Sequence, residues 1–134
     1  MSGAVRSWAL RSSAALLLCL AACGHRDVHQ RGTASWYGAE LRGRPTASGE
    51  PFRPGRRTCA HPSLPFGTVL RVERTDTHAR VRVVVNDRGP AVRSRIVDLS
   101  RRAAARLDMK EVGLAPVELV IVGCKERYGP RGCE

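Results

Sequence analysis

The 134-residue sequence has few aromatic residues and few of the motifs that mark common ligand sites. Phe, Trp and Tyr make up only 4% of the chain, so it lacks the rows of aromatic side chains on which single-stranded nucleic acid stacks. The spacing of Cys59, Cys124 and Cys133 matches no zinc site, and the sequence holds neither a phosphate-binding glycine motif nor an internal repeat. These absences argue against zinc-binding, nucleotide-phosphate-binding and repeat proteins.

Acidic residues are also scarce relative to basic ones. The chain has 23 Lys and Arg against 12 Asp and Glu, a formal net charge of +11 at pH 7. Such an excess predicts an anionic partner, which could be nucleic acid, lipid headgroups or an acidic polymer.

The N-terminus narrows this choice. The apolar stretch Ser12–Leu20 is too short to span a bilayer as a helix, and Arg6 and Arg11 precede it. It ends in Leu-Ala-Ala-Cys, which resembles the bacterial lipoprotein box and predicts a signal peptide over residues 1–22 with Cys23 lipidated. The alternative is an ordinary signal peptide followed by a chance cysteine.

An exported chain rarely meets nucleic acid, so the anionic partner is expected in the cell envelope. Gly24 after the lipidated position favours the outer membrane, facing the periplasm, over the inner membrane. Cys59, Cys124 and Cys133 remain in a compartment that permits disulfides, and three cysteines allow at most one internal bridge. The pairing stays open; Cys59 with Cys124 is preferred because Cys133 lies on a predicted C-terminal tail.

The rest of the chain reads as a tether (23–32), a folded domain (33–123) and a tail (124–134). Alternating or continuous apolar patterns predict short strands, and Ser100 is a good N-cap for one short helix. The predicted strands are Thr33–Gly38, Thr68–Glu73, Arg80–Val85, Arg95–Leu99 and Pro116–Val122. This content predicts an all-β barrel with one helical crossover.

Three polar residues are candidates for chemistry, and each has a plainer alternative. Asp87 lies on the turn Asn-Asp-Arg-Gly-Pro after a buried strand, where rigid backbone would aim it, or where it only bonds its own turn amides. Glu50 lies in a Gly- and Pro-rich segment, residues 39–57, and could simply be solvated. His61, next to Pro62, could be half-buried and bonded to backbone.

Trp36 and Tyr37 end the first predicted strand and point to opposite faces of it. We expect one of them in the core, while the other could line a groove and stack on a sugar.

Four segments together resemble one family. They are Ala34–Gly38 (ASWYG), Gly43–Phe52 (GRPTASGEPF), Ala60–Thr68 (AHPSLPFGT) and the pair Asn86–Pro90 (NDRGP) and Arg95–Ser100 (RIVDLS). Their order and spacing are similar to the rare lipoprotein A (RlpA) family of septal-ring lytic transglycosylases, over roughly residues 33–122. The sequence departs from the family pattern at Cys59, where a small residue is common, and at Pro51, where a charged one is common.

The resemblance implies a six-stranded double-psi β-barrel with pseudo-twofold symmetry, related to expansins. It implies endolytic cleavage of the β-1,4 bond between N-acetylmuramic acid and N-acetylglucosamine, preferably in peptidoglycan strands stripped of stem peptides. Carried over by position, its active-site acid, histidine and aspartate fall on Glu50, His61 and Asp87. Many members also have a C-terminal SPOR domain that binds denuded glycan; we expect none here, so septal targeting by that route is not expected.

The implied reaction uses no water and forms 1,6-anhydro-muramic ends, with Asp87 as the acid/base. Glu50 would be a second acid/base or would stabilise positive charge, His61 would orient a carboxylate or a hydroxyl, and Arg88 would contact the lactyl carboxylate. No cofactor or metal is expected. The expected partners are glycan strands and, through the lipid on Cys23, a membrane; the protein is expected to be a monomer that binds no nucleic acid.

Two other functions remain at this point. The same groove could bind glycan without cleaving it, as in an expansin-like wall-loosening module. A basic nucleic-acid-binding protein would require that the chain stay in the cytoplasm.

Overall fold

A computed structural model describes residues 29–128, so the predicted signal peptide, Cys23 and Cys133 lie outside the described residues. Six strands and one α-helix make up the fold, together with two short 3-10 turns at Ala39–Leu41 and Glu126–Tyr128. The elements are β1 (Gln30–Trp36), β2 (Thr58–Ala60), β3 (Thr68–Arg74), β4 (Arg80–Asp87), β5 (Val97–Leu99), α1 (Arg101–Arg106) and β6 (Ala115–Cys124).

The strands close into a barrel in the order β1-β5-β2-β4-β3-β6. The β1–β5 and β2–β4 pairs are parallel, and the other four pairs are antiparallel. This architecture confirms the predicted all-β fold, a six-stranded barrel with one helix.

The alternation of apolar and charged residues explains the β3–β4 hairpin. Val81, Val83 and Val85 of β4 are buried in the barrel, whereas Arg80 and Arg82 are exposed. Because side chains on a strand alternate between its faces, all three valines point to the interior. The pairing of β4 with β3 sets Val83 opposite the fully buried Leu70 and so fills the middle of the barrel.

The helix α1 covers part of the barrel through its small residues. Ala103 and Ala104 are fully buried, as is Leu107 at its C-terminal end. Ser100 is the N-cap, as predicted: its Oγ accepts a hydrogen bond from the Ala103 N–H. The same Oγ accepts from the Thr58 N–H at 3.3 Å and donates to the Arg56 carbonyl at 2.6 Å, so the cap also fixes the start of β2.

Most strand bounds differ by one to three residues from the sequence-based expectation, and one strand was not predicted. The strand β1 begins at Gln30, inside the predicted tether, because its first residues pair with β6, Gln30 opposite Leu119. The segment Thr58–Ala60 is a strand, β2, although it is only three residues long and buried throughout. After β6 ends at Cys124, the chain forms a 3-10 turn, Glu126–Tyr128, at the start of the predicted tail, and the Tyr128 hydroxyl bonds Glu50.

The preferred disulfide is wrong. Cys59 is a free thiol, fully buried in β2 opposite Leu99, while Cys124 is disulfide-bonded. Burial raises the pKa of the Cys59 thiol, and Asp98 adds to the increase, so this cysteine stays protonated. Within residues 29–128, no helix has both the length and the apolar composition to cross a membrane.

Candidate active site

One end of the barrel brings together the three polar residues singled out by the sequence. Asp87 is the last residue of β4, and β2 runs parallel beside it. A β-bulge between Cys59 and Ala60 shifts the register so that Ala60 lies opposite Asp87. The backbone N–H of His61 then donates to the Asp87 carbonyl at 3.1 Å, which joins these two residues directly.

Glu50 reaches the same end through its loop. The Ala47 N–H donates to Asp87 Oδ1 at 2.9 Å, and the Ser48 N–H donates to the Asn86 carbonyl at 3.2 Å. The loop is closed by Thr46, whose N–H and Oγ1 both donate to the Glu50 carbonyl, at 2.7 and 2.8 Å. Its turn needs a left-handed residue, which Gly49 supplies with φ +88°. The loop that carries Glu50 is therefore docked on the end of β4.

Of the two carboxyl oxygens of Asp87, one accepts hydrogen bonds from the backbone and the other has no partner among residues 29–128. Oδ1 accepts from the backbone N–H groups of Ala47 and Arg88, at 2.9 and 2.8 Å. No partner of Oδ2 is found among residues 29–128. The Arg88 contact is the turn-amide bond that the plainer interpretation expects, but the same bond aims the side chain and leaves Oδ2 free for a ligand.

Glu50 has both carboxylate oxygens occupied. Tyr128 donates its hydroxyl to Oε1, and Arg127 Nη2 lies 3.0 Å from Oε2. Arg127 also donates to the Tyr128 hydroxyl at 2.8 Å. These groups, with Ser48 and Phe66, line a cavity of about 330 Å³. Both oxygens of Glu50 thus accept hydrogen bonds at the wall of a small open pocket.

Arg127 and Tyr128 are site residues that the sequence did not reveal. They follow β6 in the predicted C-terminal tail, residues 124–134, for which no element was predicted. What places them is Gly67, whose carbonyl accepts from the Lys125 N–H at 2.8 Å and whose φ is +93°. A Cβ at Gly67 would lie 2.7 Å from the Lys125 carbonyl oxygen and 2.9 Å from Tyr128 Cδ2, so glycine is required for this approach.

The His61 ring is buried and does not contact either carboxylate. Its Nδ1 accepts from the Ser63 and Leu64 N–H groups, at 3.2 and 3.0 Å, so the proton lies on Nε2, which donates to Gln30 Oε1 at 3.1 Å. Burial first, then His29 and Arg88, lowers the pKa of His61 to about 4. The neutral ring organises the chain after β2, much as the backbone-bonded interpretation expects.

Arg88 stabilises the same loop. Its Nη1 donates to the Leu64 carbonyl at 2.8 Å and to the His61 carbonyl at 3.3 Å. The guanidinium carbon lies 4.0 Å above the centre of the Phe66 ring, a cation–π contact. Phe66 in turn lines the pocket beside Glu50, so Arg88 supports one wall of that pocket.

Neither Trp36 nor Tyr37 lines the pocket beside Glu50. Trp36 packs against the core, and Tyr37 stacks at an angle on Phe52 with ring centres 4.6 Å apart. The Tyr37 hydroxyl is buried; burial raises its pKa, and Cys59 and Asp87 add to the increase. No group of three or more His, Cys, Asp or Glu that could hold a metal occurs within the described part of the chain.

Known proteins share this sequence and this barrel. A family model described as "Lytic transglycolase", a double-psi β-barrel family, matches residues 29–119. The endolytic peptidoglycan transglycosylase RlpA of Campylobacter jejuni is 46% identical over 92 residues, which cover 69% of this chain and 34% of that protein. A probable enzyme of the same name from Nostoc is 50% identical over 95 residues, covering 69% of this chain and 26% of the relative.

This chain belongs to the RlpA family. A probable RlpA of Aquifex aeolicus is 44% identical over 107 residues, covering 76% of this chain and 47% of that protein. The matched part thus spans about a quarter to a half of the length of these RlpA relatives.

Two solved structures, a protease inhibitor and an expansin, have the same fold. The Streptomyces papain inhibitor superposes with a TM-score of 0.55 at 22% identity, covering 70% of this chain and 97% of the inhibitor, which shows the fold alone. An expansin of Clavibacter michiganensis superposes with a TM-score of 0.55 at 27% identity, covering 69% of this chain and 50% of the expansin. The RlpA-family barrel is therefore shared with proteins of other names.

Proposed function

We propose that this RlpA-family domain is an endolytic peptidoglycan transglycosylase. It cleaves the β-1,4 bond between N-acetylmuramic acid and N-acetylglucosamine in strands lacking stem peptides and leaves 1,6-anhydro-muramic ends. The observation that supports the proposal best is the bond from Ala47 to the Asp87 carboxylate, because it docks the loop carrying Glu50 beside Asp87. The RlpA relatives, named as transglycosylases, support the same reaction.

Asp87 is the acid/base in this proposal. Its protonated carboxyl group gives a proton to the glycosidic oxygen as the bond from that oxygen to the muramic anomeric carbon breaks. The muramic 6-hydroxyl then attacks the anomeric carbon of the same sugar and returns its proton to Asp87. No water is consumed, and the intramolecular nucleophile supplies a high effective concentration. The open Oδ2 is the oxygen that reaches the substrate.

Glu50 stabilises the positive charge that develops on the sugar ring. Tyr128 and Arg127 both donate to Glu50, so its two oxygens act as hydrogen-bond acceptors. A carboxylate fixed beside an oxocarbenium-like centre lowers the energy of the transition state. His61 is a positioning residue, since its ring bonds backbone N–H groups and Gln30 rather than a carboxylate.

Product analysis on denuded glycan tests the proposal. We expect Asp87→Asn to abolish the formation of anhydro-muramic ends and Glu50→Gln to slow it strongly, as judged by mass spectrometry. Asp108→Asn and Glu111→Gln are matched controls, because both residues are exposed and outside the site. If Asp87→Asn and Glu50→Gln both keep full activity, the assignment of residues is wrong.

The second candidate function is glycan binding without cleavage, which the fold shared with an expansin favours. Three product patterns separate the possibilities. Anhydro-muramic ends support the transglycosylase, reducing ends indicate a hydrolase that uses water, and binding with no new ends indicates an expansin-like module.

The cellular location of the protein is also a proposal. The RlpA relatives support a cell-wall-associated bacterial protein, and the lipobox motif supports a lipid anchor on Cys23 at the outer membrane, facing the periplasm. Labelled palmitate should appear on the wild-type chain and be absent from Cys23→Ala. Size-exclusion chromatography with light scattering tests the proposed monomer.

A further inference from the structure

The largest cavity described lies outside the candidate active site and is lined by basic residues. It has a volume of about 670 Å³ and lies between residues 55–58, the start of α1, the start of β3, the middle of β4 and the end of β6. We call it the basic groove. Its basic lining residues are Arg56, Arg57, Arg82, Arg102, Lys125 and Arg127. No Asp or Glu of residues 29–128 lines it.

The positive charges of the basic groove are largely unneutralised. Arg127 pairs with Glu50, but the other five basic residues form no ion pair within the described part of the chain. Arg102 is held by a hydrogen bond from Nη1 to the Gly55 carbonyl at 3.0 Å. Several like charges brought together without acidic neighbours among residues 29–128 create a positive potential, which attracts an anionic ligand to the groove.

The shape of the basic groove indicates a strand rather than a flat surface. A flat lipid bilayer cannot enter a concave groove between β4, α1 and the segment after β6, whereas a single polymer chain can. Val84 and Val122 contribute partly exposed apolar surface beside the charges. Sugar rings present C–H faces to apolar surfaces and carry their acidic groups at the edge, so apolar floor and basic rim together suit an acidic polysaccharide.

The basic groove also leads to the candidate active site. Arg127 lines both the basic groove and the pocket beside Glu50. Gly67 and Thr68 lie between them, since Gly67 bonds Lys125 and Thr68 pairs with Cys124 of β6. One polymer chain can therefore occupy both cavities at once.

We propose that the basic groove is a binding subsite for carboxylate groups along the glycan strand, distinct from the residues that carry out the reaction. In muramic acid the lactyl carboxylate is free where no peptide is attached and becomes a neutral amide where the stem peptide begins. Arginines in the basic groove thus bind peptide-free strands more tightly than peptide-bearing ones. This inference rests on the proposed function for the identity of the strand, but not on whether the strand is cleaved.

The test measures binding separately from cleavage. Soluble denuded glycan fragments carrying a fluorescent label are titrated with the purified full-length protein, and anisotropy is followed at low and high salt. A second probe is the same fragments after their carboxylates are converted to neutral amides. The variant is the double substitution Arg57→Gln/Arg82→Gln, because both residues are exposed and neither contacts Glu50, His61 or Asp87. The control double substitution is Arg31→Gln/Arg93→Gln, which removes the same charge elsewhere.

An exposed ion pair changes a binding constant by about 1.5- to 5-fold, so the Arg57/Arg82 variant should bind denuded glycan about 2- to 25-fold more weakly. We expect the control variant to bind denuded glycan like the wild type. The neutral amide probe should bind equally weakly to the wild type and to the Arg57/Arg82 variant. High salt should reduce the difference in affinity between wild type and variant for the charged probe. Circular dichroism melts of both doubles check that folding is unchanged.

Equal binding of the charged and neutral probes by the wild type would overturn the proposal, as would equal losses in the two double variants. A wild-type chain that binds through the basic groove but makes no new glycan ends supports the subsite and overturns the proposed reaction. If the wild type cleaves glycan and the Arg57/Arg82 variant binds it as tightly as the wild type does, the subsite is overturned and the proposed reaction stands.

Discussion

The neutral, buried His61 makes a specific prediction about how stability depends on pH. An imidazole in an unfolded chain protonates near pH 6.5, whereas burial lowers the pKa of His61 in the folded protein to about 4. Between these values the unfolded state binds more protons, so the free energy of unfolding falls as pH falls from about 6.5 to about 4. Above about 6.5 this contribution is complete and flat.

The size of the effect follows from the same two pKa values. The difference between them corresponds to about 3 kcal/mol as an upper limit, because each tenfold change in proton affinity is worth about 1.4 kcal/mol. His61 is only 3% exposed, so solvent screening reduces this value little. Urea unfolding followed by circular dichroism at pH 7, 6, 5 and 4 measures the loss.

A matched variant isolates the imidazole from the carboxylates. In His61→Asn the side-chain oxygen can still accept from the Ser63 and Leu64 N–H groups, but nothing titrates there. We expect this variant to be less stable at pH 7 and to lose less stability down to pH 4. Arg80 and His78 lower the pKa of Glu73, and Arg74 lowers the pKa of Asp76. These carboxylates contribute the same pH dependence of stability to the wild type and to the variant.

Titration of the wild-type protein by NMR gives an independent readout that requires no variant. The His61 ring protons should not shift until the pH approaches about 4. A midpoint near 6.5, or identical pH slopes for wild type and His61→Asn, would refute the argument that the ring is held neutral by burial.

Three further predictions concern neighbouring contacts. Gly67→Ala should destabilise the fold by about 1–2 kcal/mol and reduce activity, since φ is +93° and the new Cβ would meet Lys125 and Tyr128; an unchanged melting temperature would contradict this. Tyr128→Phe removes a donor to Glu50 and should lower kcat on denuded glycan about tenfold with KM little changed; equal kcat would show that this contact is not used. Ser100→Ala should cost about 1–3 kcal/mol in urea unfolding, because the buried Oγ caps α1 and bonds Arg56; a loss below about 0.5 kcal/mol would contradict it.

The fold could be predicted from the sequence where the pattern is local. The alternation in Arg80–Val85 and the cap at Ser100 gave the hairpin and the helix correctly. The strand β2 could not be found this way, because three residues buried throughout have no periodicity. The early start of β1 depends on its pairing with β6, almost ninety residues later, which no local pattern contains.

In the candidate site, too, the residues marked by a local pattern were predicted and those brought in by long-range contacts were not. Asp87 was marked by the turn that follows its strand, and the structure brings it to Glu50 and His61 through backbone contacts. Arg127 and Tyr128 were missed because they reach Glu50 across 77 and 78 residues from a segment rich in Gly and Pro. The disulfide prediction failed because strand burial, not spacing, decides that Cys59 is sealed in the core.

The closure of the barrel by its first and last strands has a consequence for folding. The strand β1 bonds to β5 and β6 only, and β6 supplies one of the two neighbours of β3. Nothing shorter than the stretch from Gln30 to Cys124 can therefore form a sheet without open edges. Such long-range pairing slows the search for the native topology, and the barrel cannot close until β6 is available to pair with β1 and β3.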